Sequence, residues 1–172
     1  MNPVIRPAAE AELPAVGALI ALAFDDLEQN RSLVPDPAAR LRVMGDFFTV
    51  LTEHAPLCGK VDVIDNPAGG LAAAAVWFDR THEMPEIPHY EDRLARLAGE
   101  WLPHFQALDE LFDKHHPVDP HWHLAFLAVH PDHQHHGLGG ALMDSTHQDL
   151  GGTAAYLEAT NDDNIRLYRR YG

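Results

Sequence analysis

The sequence predicts an α/β fold built on one mixed sheet (α+β), and three regions support this. The last third of the chain has the order strand, loop, helix, strand, helix, which is typical of two parallel strands joined by a helix. Residues 61–78 show strand alternation around an Asn-Pro-Ala-Gly-Gly turn, which predicts a β-hairpin. The first third has two segments with helical spacing. At 172 residues we expect a single domain over residues 1–172.

The N-terminal part of the chain predicts a short strand and two helices. Residues 4–7 are short, β-branched and proline-ended, which indicates an edge strand. Residues 9–24 and 37–53 repeat apolar side chains at helical spacing, and Pro37 suits the first turn of the second helix. The acidic, proline-containing residues 25–36 predict a loop or a short helical turn between them.

A long helical pattern follows the hairpin. Residues 90–112 carry apolar and aromatic side chains at helical spacing, and Pro103 is expected to bend or break the helix near its middle. These aromatic side chains could line a pocket, but a place in the core is the favoured interpretation. The proline-rich residues 81–88 separate this pattern from the hairpin.

Residues 121–129 predict a buried central strand, because both of its alternating sets are mostly apolar. A helix is expected over residues 141–150, ended by Gly151-Gly152, followed by a strand over 154–159 and a helix over 161–170. The two alternating sets of the central strand are Trp122, Leu124, Phe126 and Ala128 against His123, Ala125, Leu127 and Val129.

Charge and cysteine content exclude several classes of function. A formal net charge of −14 disfavours a nucleic-acid or membrane-surface partner and favours a cationic small molecule. Cys58 is the only cysteine, so neither an intramolecular disulfide nor a cysteine zinc cluster is expected. The sequence shows no signal-peptide pattern and no run of about 18 apolar residues, so we expect a cytoplasmic protein.

The glycine-rich loop at residues 134–140 carries the most informative motif. It lies between the predicted central strand and a helix N-terminus, where free backbone N–H groups and the helix dipole favour a phosphate group. The dinucleotide pattern fails because Leu142 stands where a small residue is needed, and the Lys of a P-loop is absent. Residues 134–139 instead fit the pattern [Q/R]-x-x-G-x-[G/A].

On this motif, and on residues 127–131 and 156–172, the chain resembles the GNAT superfamily of acetyl-CoA-dependent N-acetyltransferases. Within this superfamily, the sequence is most similar to the branch that contains puromycin N-acetyltransferase. The resemblance implies a GNAT acyl-CoA N-acyltransferase fold, acetyl-CoA as cosubstrate, and direct acetyl transfer to a primary amine of a small molecule. GNAT chains normally continue with two more strands, so the fold is expected to lack them here. A homodimer that covers the open sheet edge is one expectation.

The resemblance also implies site residues. The strand over residues 154–159 is expected to splay from the central strand and leave room for the cofactor. Tyr168 is implied as the acid that protonates the leaving thiolate, and the Val129 N–H as an oxyanion donor. Glu158 is the favoured general base, with His123 and Asp119 as alternatives. The implied cofactor-binding residues are Leu127, Ala128, Val129, Gln134, His135, His136, Gly137, Leu138, Gly139, Gly140, Asn161 and Asn164.

Thirteen histidines include three clusters in sequence, at 115–116, 121–123 and 133–136. Because metal ligands usually converge from ordered elements, whereas these follow a loop, a strand and the glycine loop, we expect no functional metal site. The alternative to an enzyme is a coenzyme A-binding sensor or assembly module without catalysis. Acetylation of protein tails is disfavoured, because residues 81–88 show no sign of an acidic peptide groove.

Overall fold

Five strands form one mixed sheet in the order β1-β2-β3-β4-β5. The structure is a computed structural model that describes residues 3–160 and 162–171, with the backbone alone for residues 162 and 163. The first four strands pair antiparallel and β4 pairs parallel with β5, which confirms the predicted mixed sheet. The strands are β1 (Ile5–Pro7), β2 (Gly59–Asp65), β3 (Leu71–Asp79), β4 (Trp122–Val129) and β5 (Ala155–Leu157).

Helices cover both faces of the sheet. Five of the seven helices in the described ranges contribute to the larger apolar core on one face, whereas α6 contributes buried residues to a second core on the other face. No helix in the described ranges is long and apolar enough to span a membrane. The helices are α1 (Leu13–Phe24), α2 (Glu28–Leu33), α3 (Pro37–His54), α4 (Tyr90–Ala98), α5 (Leu102–His115), α6 (Leu138–Asp149) and α7 (Asp162–Tyr168).

Helix boundaries follow local chemistry. The Asp36 side chain accepts a 3.0 Å hydrogen bond from the Ala38 N–H, and Pro37 occupies the first turn of α3, as predicted. The long helix expected over residues 90–112 is indeed divided, but the division begins at Gly99, whose φ of 53° is left-handed. Pro103 lies in the first turn of α5, where a missing N–H has no cost.

A β-bulge in β4 corrects the predicted alternation. Val76 of β3 pairs with Phe126 and Trp77 pairs with Leu124, so Ala125 is an extra residue without its own partner on β3. The bulge moves Phe126 and Ala128 to the face of the larger core. The faces expected from simple alternation are therefore wrong after Leu124. Trp122, Leu124, Leu127 and Val129 pack on the face of the second core.

The two parallel strands separate where the bulge lies. The pairs run from Trp122↔Ala155 to Leu124↔Leu157, and in the described ranges no β5 residue pairs with β4 beyond Leu124. The strand predicted over residues 154–159 is therefore shorter than expected, because a bulge bends the strand that contains it. From Phe126 onward, β4 pairs only with β3 and has an edge free of strand pairing in the described part of the chain. We call the space beside this free edge, where β5 no longer pairs with β4, the β4–β5 opening.

Candidate active site

The glycine loop begins at the end of β4. A 3₁₀ turn over Pro131–His133 leads to Gln134, whose Nε2 donates a 3.3 Å hydrogen bond to the Val129 carbonyl. This bond ties the start of the loop to the strand. His135 and Gly137 then have φ values of 63° and 80°, both left-handed. Left-handed residues alternating with ordinary ones form a concave backbone whose N–H groups converge on an anion.

The N-terminus of α6 completes this concave backbone. Ala141 donates to the Gly137 carbonyl at 3.0 Å, which is the first bond of the helix ladder. The preceding amides of Leu138, Gly139 and Gly140 have no acceptor within the helix, because the first turn of any helix lacks one. Their partial positive charge adds to the helix dipole. The loop and helix start can therefore hold a diphosphate without any cationic side chain.

The end of the chain is bound to the same helix start. The Tyr171 hydroxyl donates a 3.0 Å hydrogen bond to the Gly140 carbonyl, and its ring lies 5.1 Å from that of His147. A Cβ added to Gly139 would lie 3.6 Å from side-chain carbons of Leu127 and Leu167. The start of α6 therefore packs against side chains of β4 and α7 at these glycines.

Tyr168 of α7 lies on the same face of the sheet as α6. It packs against the core formed by Leu124, Leu142 and Met143. Burial raises the pKa of its phenol to about 12, so the hydroxyl is protonated at neutral pH. It is suited to donate a proton and not to accept one.

A cluster of polar rings lies on the opposite face, beside the β4–β5 opening. The His123 Nε2 is 3.0 Å from the Glu158 Oε2, and the His123 ring is 6.5 Å from that of Phe78, which belongs to the larger core. Three further aromatic side chains surround this pair within 5.6 Å of one another between ring centroids: His116, His121 and Tyr156. These five residues are named the histidine cluster.

Electrostatics in the histidine cluster favour a neutral ring beside an ionised carboxylate. Burial, with the positive charge of Arg80, lowers the pKa of His116 to about 4. Burial by itself would raise the pKa of the Glu158 carboxyl, but hydrogen bonds from His123 and Tyr156 outweigh it and lower that pKa. Glu158 is therefore an anion at neutral pH.

The structure brings some predicted site residues together and separates others. Glu158 lies against His123, the alternative base, whereas Tyr168 lies on the opposite face of the sheet. Asp119 contributes its backbone carbonyl, which is 2.6 Å from the His121 Nδ1. Asn161 lies outside the described residues. The Asn164 Nδ2 donates to the Thr160 Oγ1 at 2.9 Å.

Three of the histidines come together although the sequence places them on different segments. His116, His121 and His123 converge because α5 ends beside the start of β4 and because 121 and 123 share a strand face. The His-x-His spacing, together with Tyr156 and Glu158 two residues apart near the neighbouring strand, was the signal that could have revealed the cluster.

Comparison with known proteins indicates a family. Residues 104–172 match the sequence model of the acetyltransferase (GNAT) domain. This part of the chain is therefore similar to GNAT acetyltransferases. GNAT proteins generally use acetyl-CoA as cosubstrate, and the domain match together with the structural neighbours below indicates an acetyl-CoA-dependent N-acetyltransferase.

Solved structures extend the likeness over the whole chain. A crystal structure described as histone acetyltransferase HPA2 and related acetyltransferase from Corynebacterium glutamicum is 25% identical, with a TM-score of 0.76, and the match covers 100% of this chain and 84% of that one. The polyamine N-acetyltransferase of Drosophila melanogaster is also 25% identical, with a TM-score of 0.62 and 98% and 81% coverage. An agmatine N-acetyltransferase, 24% identical, has a TM-score of 0.63, with 100% and 82% coverage.

Proposed function

We propose that this protein transfers the acetyl group of acetyl-CoA to a primary amine of a small cationic molecule, by direct attack in a ternary complex and within one domain over residues 1–172. One observation carries the proposal. The β4–β5 opening lies between a half-buried phenol, Tyr168, on one face of the sheet and the His123–Glu158 pair on the other. A thioester held in the opening would have a proton donor on one side and a proton acceptor on the other.

The free edge of β4 and the glycine loop suit coenzyme A. Alternate backbone groups of the segment Leu127–Val129 face away from β3 and can pair with the amides of an extended pantetheine arm. The amides of residues 135–140 would hold the diphosphate at the helix N-terminus. Gln134 would fix the loop relative to β4 through its bond to the Val129 carbonyl. The fit of the cofactor therefore rests on backbone groups and needs no cationic side chain.

Acetyl transfer from a substrate ammonium removes two protons from the nitrogen and delivers one to the thiol, so one proton is released overall. Glu158, oriented by His123, would accept a proton from the substrate ammonium directly or through a water molecule, which frees the nitrogen lone pair. The nitrogen then forms a bond to the thioester carbon, and the Val129 N–H would stabilise the oxygen as it becomes negative. The carbon–sulfur bond breaks, and Tyr168 would give its proton to the departing sulfur. The nitrogen would then lose its second proton through water to the Tyr168 phenolate, and the proton on Glu158 would pass to solvent.

A cationic substrate is favoured by charge. The chain has a net charge of −14, which raises the local concentration of cations near its surface. The polyamine and agmatine N-acetyltransferases that share the fold are named for cationic amines. We therefore propose diamines, polyamines and agmatine-like molecules ahead of neutral amines.

The test is a substrate panel measured by release of free thiol from acetyl-CoA, with the acetylated product identified by mass spectrometry. Diamines and agmatine form one arm, arylalkylamines a second, and a basic peptide a third. We expect turnover in the first arm to exceed that in the others by at least tenfold in kcat/KM. Binding of acetyl-CoA by calorimetry without thiol release from any amine would reject catalysis and support a coenzyme A-binding module.

A further inference from the structure

The histidine cluster has more nitrogen donors than a general base needs. One imidazole beside Glu158 suffices to orient the carboxylate, yet His116 and His121 lie beside this pair as well. His123 is 7% exposed, and its Nδ1 atom is buried with no hydrogen-bond partner among the described residues. An unpartnered buried nitrogen is unfavourable unless something binds it.

The hydrogen bonds of His121 define which of its nitrogens can bind a cation. Its Nδ1 is 2.6 Å from the Asp119 carbonyl, and because a carbonyl only accepts, the Nδ1 carries the hydrogen. The Nε2 of the neutral ring then holds a lone pair, directed at the His116 Nε2 3.0 Å away. An imidazole whose Nδ1–H is held by a backbone carbonyl is the usual arrangement of a metal-binding histidine.

We infer that His116, His123 and Glu158 form a Zn²⁺ site, with His121 as a neighbouring fourth nitrogen. One ligand atom from each of the three residues lies within 4.8 Å of the other two. Two nitrogens and one carboxylate oxygen around an open position are a ligand set typical of zinc. Calcium and magnesium prefer sets made of oxygen ligands, so they fit this site less well.

Binding requires a contraction of the three ligands. With zinc–ligand distances of about 2.1 Å and tetrahedral angles, two ligand atoms lie about 3.4 Å apart, so a pair at the 4.8 Å limit closes by roughly 1.4 Å. His123 is fixed within β4, but His116 follows the last residue of α5 and Glu158 follows the last residue of β5. Side chains at these two element ends can move toward the strand with little change in the core.

A bound ion would engage the same carboxylate that the proposed reaction uses. Zinc on Glu158 and His123 prevents that pair from accepting a proton, so micromolar Zn²⁺ inhibits acetyl transfer and a chelator restores it. This inhibition rests on the proposed function, whereas zinc binding itself does not. The two are measured separately, because binding is followed without acetyl-CoA and turnover is followed in the presence of a chelator.

The experiment is calorimetry of the untagged, metal-stripped 172-residue chain with zinc chloride, together with thermal unfolding. We expect one tight site per chain, with a micromolar or lower Kd, and a rise in Tm, since a ligand that binds only the folded state stabilises it. His116→Ala and Glu158→Gln each weaken that site at least tenfold. His115→Ala, at an exposed neighbouring histidine, changes the Kd by less than twofold.

Circular dichroism of each variant separates loss of binding from loss of fold, and Glu158→Gln keeps the shape of the side chain. Equal zinc affinity in His116→Ala, Glu158→Gln and the parent chain would overturn the site, because the ion would then be held by other histidines. Absence of any site tighter than about 100 μM would overturn it as well. A loss of affinity in His115→Ala equal to that in His116→Ala would also contradict the assignment.

Discussion

The glycine loop follows the end of β4 and the histidine cluster lies beside its start, and the two are built in different ways. The loop is one run of residues, and its chemistry comes from backbone conformation at His135 and Gly137 and from the start of α6. The cluster takes its side chains from segments as far apart as His116 and Glu158. A site made of backbone can be recognised from a short motif, whereas a site made of converging side chains depends on strand register.

The largest effect is expected for the phenol. Tyr168→Phe should lower kcat roughly 10- to 1,000-fold and leave the acetyl-CoA Kd within about twofold, because the ring still packs but no proton is available for the thiolate. Steady-state kinetics and calorimetry measure the two quantities. Tyr90→Phe, which removes a hydroxyl bonded to Asp109, is the matched control and keeps kcat. Unchanged kcat in Tyr168→Phe would remove its proposed role.

Removal of the carboxylate from the histidine cluster is expected to be the next largest change. Glu158→Gln should lower kcat roughly 10- to 100-fold at saturating acetyl-CoA, less than loss of the phenol, because His123 remains to accept a proton. The acetyl-CoA Kd should not change, since the cluster lies apart from the loop. Glu110→Gln, at an exposed position of α5, serves as the control for the same chemical change. A change in acetyl-CoA affinity without a change in kcat would contradict the proposal that the cluster acts in catalysis and the loop in cofactor binding.

The role of the glycine loop in cofactor binding is tested by a substitution that strains its backbone. Gly137→Val places a β-branched residue at a φ of 80°, with open space around the new side chain, so strain and not collision is introduced. A left-handed residue with a Cβ costs about 1–2 kcal/mol, which predicts an acetyl-CoA Kd weakened roughly 5- to 30-fold. Gly69→Val adds similar strain in the hairpin turn, where φ is 109°, and should not alter that Kd. Equal losses in both variants would point to general destabilisation.

Acid stability should also depend on an ion-pair group that lies outside both regions. Arg6 hydrogen-bonds to both Glu12 and Asp65, and the bonds from Arg6 and from the Ala9 N–H lower the pKa of Glu12 to about 2. A carboxyl with a lowered folded pKa stabilises the fold above its unfolded value near 4.5 and loses that contribution as the pH falls toward 2. The Tm difference between the parent chain and Glu12→Gln should therefore shrink from pH 5 to pH 2. A constant difference across this range would contradict the ion pair's role.

Local signals account for most of the fold. Pro37 after Asp36, the hairpin turn and the order of the last four elements each depend on residues close in sequence, so these predictions are confirmed. The division of the long helix was expected at Pro103 but begins at Gly99, because a left-handed glycine ends a helix while a proline is tolerated in a first turn.

Side-chain faces and convergence could not be predicted in the same way. Alternation assigned Phe126 to the face of Trp122, and the bulge at Ala125 reverses that assignment. Likewise His116 follows a helix and meets His123 only through tertiary packing. The residues proposed to bind coenzyme A and to move protons stay predictions, as does the likeness to the puromycin N-acetyltransferase branch.

The extra residue at Ala125 divides β4 into two segments that contribute to different parts of the proposed site. The segment before it holds His123 beside β5, and the segment after it presents backbone to the opening. Side chains in the first segment can be exchanged during evolution without disturbing the amides of the second. A single extra alanine thus separates the part of the strand beside the proposed base from the part proposed to bind coenzyme A, so that the first can change without the second.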